Sequence, residues 1–448
     1  MNIQSFGAVF NNSISNITPG KWRGGSFAIA YSKINNFNNE LQYSGINPSN
    51  DILHFYAEEA NFQNVQGSDL AGIARGAYDT YLISRFVDVE VADGQTTVIP
   101  FYDRTFFSEF PLPEFPVEQS EVINTSGSQN QWSFSYGVNY DDRLYFGATL
   151  GIQSLKYDIT KTYTERYPGL EEDIVLRSVL YEDLITRGNG INGTFGIIGR
   201  PVDQITIGVS LITPTFYTFT ESYYYSVEAD YDNFSMTNYS DYFDANYDNI
   251  VNPAYIEENS PYYPESYTTF YEDDATLNNQ FTDSESEFSY TLNTPMRVNA
   301  GATYFINKNG FVSADIEYVD YANMRLKGKE GSLQSDNESI DNLYQSVVNL
   351  RIGAEWRIKT MRVRAGYNYQ PSPIKHENAD RKLQTISTGV GLRSGKYFVD
   401  LAASYKMYNS QYAPYLLENP NNLVHLENNF ADIDNQNLTI ALSVGLFF

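Results

Sequence analysis

Arginine is where this sequence comes nearest to chemistry. In 345–358 the apolar residues Val348, Leu350, Ile352, Ala354, Trp356 and Ile358 fall on even positions, and in 361–370 Met361, Val363, Ala365, Tyr367 and Tyr369 fall on odd ones. Folding about a two-residue turn at Lys359-Thr360 puts both sets on one face. The opposite face then gathers Arg351, Glu355, Arg357, Arg362 and Arg364, with Glu355 across from Arg364 and Arg357 across from Arg362. Arg297 and Arg393 share that face by the same alternation. A cross-strand Glu–Arg pair is ordinary. Adjacent arginines need water, a plug, a further acid such as Asp315 or Glu317, or an anion. Guanidinium groups suit bidentate contact with carboxylate, so this face is either a polar lining or a guide for an anionic headgroup.

No other residues converge on a reaction. His54, His376 and His425 are far apart, in segments that read as loops, and no nucleophile motif stands beside them. Gly188, Gly190 and Gly193 lack the Lys-Ser/Thr of a phosphate loop and read as strand glycines where the interior is crowded. The acidic loops carry no EF-hand spacing. With Cys 0 there is no disulfide or thiolate metal site, and a net charge of -26 excludes a nucleic-acid partner. The expectation is no enzyme, no cofactor and no metal.

The elements that would position the arginines are strands. The last twelve residues alternate Leu438, Ile440, Leu442, Val444, Leu446 and Phe448 against Thr439, Ala441, Ser443 and Gly445. Period-two runs occur at 3–12, 21–34, 131–140, 143–156, 190–200, 204–220, 287–307, 311–326, 345–358, 361–370, 383–393, 396–408 and 437–448. Tight turns alternate with long connections at 35–130, 157–189, 221–286, 327–344, 371–382 and 409–436. Such sorting, with Trp132, Tyr140, Trp356, Tyr397 and Tyr405 near strand ends, is the pattern of an outer-membrane β-barrel with periplasmic turns and extracellular loops. The mean hydropathy of -0.41 agrees, because only alternate residues meet lipid. The expected fold is all-β: an antiparallel transmembrane barrel, one domain over 1–448. Two helices, opened by Asp51 and Asp69, are expected over its mouth.

Thirteen strands is an odd count for a closed antiparallel barrel. Strand direction, counted back from the carboxy terminus, predicts one further outward strand, with a signal peptide, ahead of Met1.

The segments Gly188-Asn-Gly-Ile-Asn-Gly-Thr-Phe-Gly-Ile-Ile-Gly-Arg-Pro-Val, Ile207-Gly-Val-Ser-Leu-Ile-Thr-Pro-Thr-Phe-Tyr, Asn293-Thr-Pro-Met-Arg-Val-Asn-Ala-Gly-Ala-Thr-Tyr, Ala314-Asp-Ile-Glu-Tyr-Val-Asp-Tyr and Ala365-Gly-Tyr-Asn-Tyr-Gln-Pro-Ser-Pro-Ile follow one another in family order. In them the chain resembles the FadL-like outer-membrane transporters of long-chain fatty acids and other hydrophobic compounds. The resemblance implies a fourteen-stranded monomeric barrel with an amino-terminal hatch, which has no counterpart here, and a lateral exit through the wall. By the same resemblance Gly24 and Gly25 lie on the strand that kinks to open that exit.

The function expected is passive uptake of hydrophobic or amphipathic small molecules, with outer-membrane lipid as the surroundings. The rivals are a general porin for polar solutes, and a surface binding or adhesion protein whose Tyr-rich acidic loops do the work.

Overall fold

A strand whose alternate residues must face hydrocarbon can pair in only one register, because a slip of one residue turns every apolar side chain inward. The computed structural model of the chain shows that outcome throughout. It describes residues 3–14, 20–48, 50–65, 67–92, 95–99, 106–108, 116–167, 175–235, 262–264, 276–328, 333–375, 381–417, 428 and 430–446.

The main sheet contains 17 strands. They are β1 (Ser5–Ser13), β2 (Trp22–Asn36), β3 (Asn39–Asn47), β4 (Val117–Tyr140), β5 (Leu144–Arg166), β6 (Val175–Val202), β7 (Ile205–Ile212), β8 (Phe216–Ser235) and β9 (Thr276–Asn293). The rest are β10 (Arg297–Ile306), β11 (Gly310–Asp320), β12 (Arg325–Gly328), β13 (Ser346–Ile358), β14 (Met361–Gln370), β15 (Leu383–Ser394), β16 (Tyr397–Tyr412) and β17 (Ala431–Leu446). Four staves are each built from two strands end to end: β2 with β3, β7 with β8, β10 with β9, and β11 with β12. Thirteen antiparallel staves result, in the positions of the thirteen sequence runs. Among the described residues no ladder joins β1 to β17, and with thirteen staves these two run in the same direction.

The sheet curls into a barrel. Tyr412 on β16 donates to Glu121 Oε1 on β4 at 2.9 Å, and its ring meets Tyr43 of β3 at 5.9 Å, bringing staves from opposite ends of the sheet together over the mouth. Outside, Ile352, Val363, Val390, Leu401 and Leu442 are exposed in a band too extensive for a protein bathed in water. Trp22, Trp132, Trp356 and Tyr397 are exposed toward its borders.

A membrane crossing takes about 9–11 tilted residues, yet β4, β5 and β6 have 24, 23 and 28. Above the band their outward positions become polar, as with Asp158, Thr160, Thr162 and Thr164 on β5. The flanks of the stretches 157–189 and 221–286, expected to be loops, are therefore strand: β5 runs to Arg166, β6 starts at Val175, β8 reaches Ser235 and β9 starts at Thr276.

The main buried core lies inside this upper wall. Helix α1 (Ile52–Gln63) is capped as expected by Asp51, which accepts from the His54 backbone N–H at 3.1 Å. Helix α2 (Gly72–Asp79) has Ala71 at its N-cap position and no side-chain cap, and Asp69 instead ends a short 3-10 turn, Gly67–Asp69. Tyr56, Ala60, Ala74 and Ala77 pack on Tyr163, Leu180, Tyr225, Val227 and Ala229 of the wall. Gly76 permits this approach, since a Cβ there would come 2.7 Å from Val227 Cγ2.

Candidate functional site

At the turn end of the lumen the β13–β14 ladder pairs Glu355 with Arg364 and Arg357 with Arg362. Glu355 is buried and accepts from three guanidinium groups: Arg357 Nε at 3.0 Å, Arg362 Nη1 at 2.8 Å and Arg364 Nε at 2.9 Å. Arg364 also donates to Asp400 at 2.9 Å, and Arg393 reaches the same carboxylate with two bonds, at 3.0 and 2.9 Å. Four arginines thus share two acids. Asp400, inward between the outward Val399 and Leu401, is a member that sequence reasoning missed, although the alternation rule alone would have placed it. Arg351 turns away to Glu317, at 2.8 Å, beside Asn349. Asp315, opposite Arg351 in the ladder, takes no part. Arg297 enters no ion pair among the described residues.

Higher in the lumen the lining becomes aromatic. Tyr217 and Phe219, two apart on the inner face of β8, stack with centroids 5.0 Å apart, and Phe219 meets Tyr290 of β9 at 5.4 Å. Their floor is Gly188 and Gly190 on β6, where any Cβ would collide with the Phe219 and Tyr217 rings. Of the three strand glycines read as crowded, these two are, whereas a Cβ on Gly193 would meet nothing nearer than 3.5 Å. The Tyr217 hydroxyl is held by Gln129, at 2.7 Å, and by Gln153, while Tyr290 donates to Glu221 at 3.0 Å. The two tyrosine hydroxyls are thus hydrogen-bonded, and the Tyr217 and Phe219 rings are buried in the inner wall.

Above the rings the α1 cap closes on a buried acid. Glu165 accepts from the Ile52 N–H at 2.7 Å, Gln119 at 2.7 Å, Tyr163 at 2.8 Å and Tyr167 at 2.9 Å. Burial, then the nearby Asp51 charge, pushes its carboxyl above the usual range despite these donors. His54, expected in a loop, sits buried in the first turn of α1, with Nδ1 2.7 Å from Asp51. Burial works to lower its pKa, but the Asp51 hydrogen bond and charge prevail and raise it. His376 and His425 lie outside the described residues.

The wall has several irregularities. Gly24 and Gly25 are paired on both flanks, to Ser13 and Asn12 of β1 and to Asn139 and Val138 of β4, with only a bulge between Trp22 and Gly24. The ladder continues through them and leaves no gap there. The larger break in this stave is between β2 and β3, where Gly127 on β4 takes φ 118 and bonds Asn38 Oδ1 at 3.0 Å. A second break crosses three adjacent staves at one level: Thr213–Thr215, Thr294–Met296 and Tyr321–Met324. Pro214 and Pro295 withhold ladder donors there, and Thr294 Oγ1 accepts from the Thr215 N–H at 2.8 Å.

No family profile and no curated protein matches this chain. Among solved structures, the CymD monoaromatic hydrocarbon channel is 11% identical with a TM-score of 0.41, over 82% of this chain and 87% of that one. A Pseudomonas aeruginosa FadL homologue is 13% identical with a TM-score of 0.41, over 92% and 98%. The P. putida toluene transporter TodX is 10% identical with a TM-score of 0.42, over 99% and 87%. The chain is similar to these channels.

Proposed function

We propose that this protein is an outer-membrane channel through which hydrophobic or amphipathic small molecules diffuse inward, without catalysis. The observation that carries the reading is the lumen above the turn end. It holds an aromatic panel, Tyr217 stacked on Phe219 with Tyr290 tilted against it, beneath a buried helical cap. Apolar walls with a few fixed polar groups are the ordinary makeup of a site for apolar ligands. A general porin needs an open polar lumen, so the cap and panel favour the hydrophobic route.

The cargo proposed is a monoaromatic hydrocarbon, as named for the similar CymD channel, with long-chain fatty acids as the alternative. For an acidic cargo, Arg362 and Arg364 are the residues to receive the carboxylate at the turn end, in exchange with Glu355 and Asp400. The protein is taken to act as a monomer surrounded by outer-membrane lipid.

The test is uptake of toluene and of a sugar by cells that display the full chain. Toluene uptake should exceed the channel-free control, and Tyr217→Ala with Phe219→Ala should slow it several-fold while sugar uptake stays at background. Sugar passing as readily as toluene in the unaltered protein would establish the porin instead.

A further inference from the structure

We infer that the lower lumen contains a binding station for a small amphiphile with a hydrogen-bond-donating head, received by Asp315. The inference rests on the channel reading for its purpose, and on the following geometry for the binding itself.

A cavity of about 490 Å³ lies against the inner faces of β5, β6, β7, β10 and β11. That volume suits a compact organic molecule. Its floor is glycine, with Gly147 paired to Gly196 and Gly208 to Gly301 across the ladders. Packing does not demand glycine at three of these positions. A Cβ on Gly147, Gly196 or Gly208 would meet nothing nearer than 3.8, 3.7 or 3.5 Å. Side chains at these positions would occupy the hollow, and the sequence leaves it empty of them.

Gly301 differs. A Cβ there would collide with Asp315 Oδ1, so the carboxylate lies across Gly301 within the cavity lining. Asp315 has Arg351 directly opposite in the ladder, but Arg351 is engaged by Glu317 at 2.8 Å. Among the described residues Asp315 makes no ion pair and no hydrogen bond. The rest of the lining is uncharged, with the hydroxyls of Thr149, Thr194 and Ser210, the Asn299 amide, and the apolar surfaces of Tyr145 and Ile198. An unpaired carboxylate accepts from a hydroxyl or ammonium and repels another carboxylate. The station therefore takes neutral or cationic heads, while the arginine cluster near the turns is a separate place with the opposite preference.

The test uses the full chain in nanodiscs and isothermal titration with three probes that share one body: p-cresol, 4-methylbenzylamine and 4-methylbenzoate. The first two should bind, and the anion at least tenfold more weakly. Gly208→Leu, which fills the hollow without a backbone clash, should weaken both bound probes at least tenfold. Asp315→Asn should erase the discrimination against the anion. Anion binding equal to that of p-cresol, undiminished binding in Gly208→Leu, or discrimination persisting in Asp315→Asn would each overturn the proposal. Toluene uptake with no probe bound defeats this station alone; probes bound without toluene uptake support the station and defeat the channel reading.

Discussion

Glu355 is the acid on which the turn-end cluster depends, and its replacement has a directional consequence. Glu355→Ala leaves Arg357, Arg362 and Arg364 mutually repelling at the lumen wall. Because these guanidinium groups keep 28–37% side-chain exposure, the loss should be about 2 kcal/mol, below that of a fully buried pair. It would be read from thermal unfolding in micelles, and high salt should recover part of it. Gly188→Ala drives a methyl group into Phe219 and should cost about 1–3 kcal/mol through overpacking, with slower toluene uptake. The inward arginines were legible because one tight turn fixes the register of two strands. Asp400 was overlooked because it is distant in sequence, although its neighbours Val399 and Leu401 announce its face. Asp315 was counted as a partner for arginine, and only the side-chain geometry shows Arg351 choosing Glu317.

Element by element, the strands were legible wherever lipid imposes alternation. They were not legible above the band, where outward residues of β5, β6 and β8 meet water and their composition resembles that of a loop. Asp51 was recognisable as a cap, whereas Asp69 misled because α2 begins only at Gly72, with φ 65, three residues further on. The cap's attachment is titratable. Glu165 and His54 both hold a proton more firmly folded than unfolded. Their contribution is therefore full below the unfolded pKa of each group, and is lost as pH rises through the folded one. Hydrogen exchange of α1, corrected for the intrinsic rate, should report more frequent opening at pH 8 than at pH 5, and Glu165→Gln should flatten that dependence. Equal opening at both pH values would remove the two groups from any role in holding the cap.

Taken as a whole molecule, the chain separates its charge along the barrel. Residues 201–296 contain no Lys or Arg and 17 Asp or Glu, and most of that stretch connects or extends the loop-side ends of β8 and β9. The turn end holds Arg357, Arg362, Arg364 and Arg393 around two acids. An anionic amphiphile approaching the acidic mouth should be taken up faster as ionic strength rises, while a neutral hydrocarbon should show no such response. Everything else depends on the wall meeting hydrocarbon on one face and the lumen on the other, and the chain's lack of cysteine permits a direct measurement. Single cysteines introduced from Val348 to Ala354 on β13, carrying a fluorescent label in nanodiscs, can be challenged with a lipid-soluble and a water-soluble quencher. At Val348, Leu350, Ile352 and Ala354 only the lipid-soluble quencher should act strongly, and the order should reverse at Asn349, Arg351 and Gly353. Strong water-soluble quenching at all seven positions, without period two, would contradict the membrane barrel.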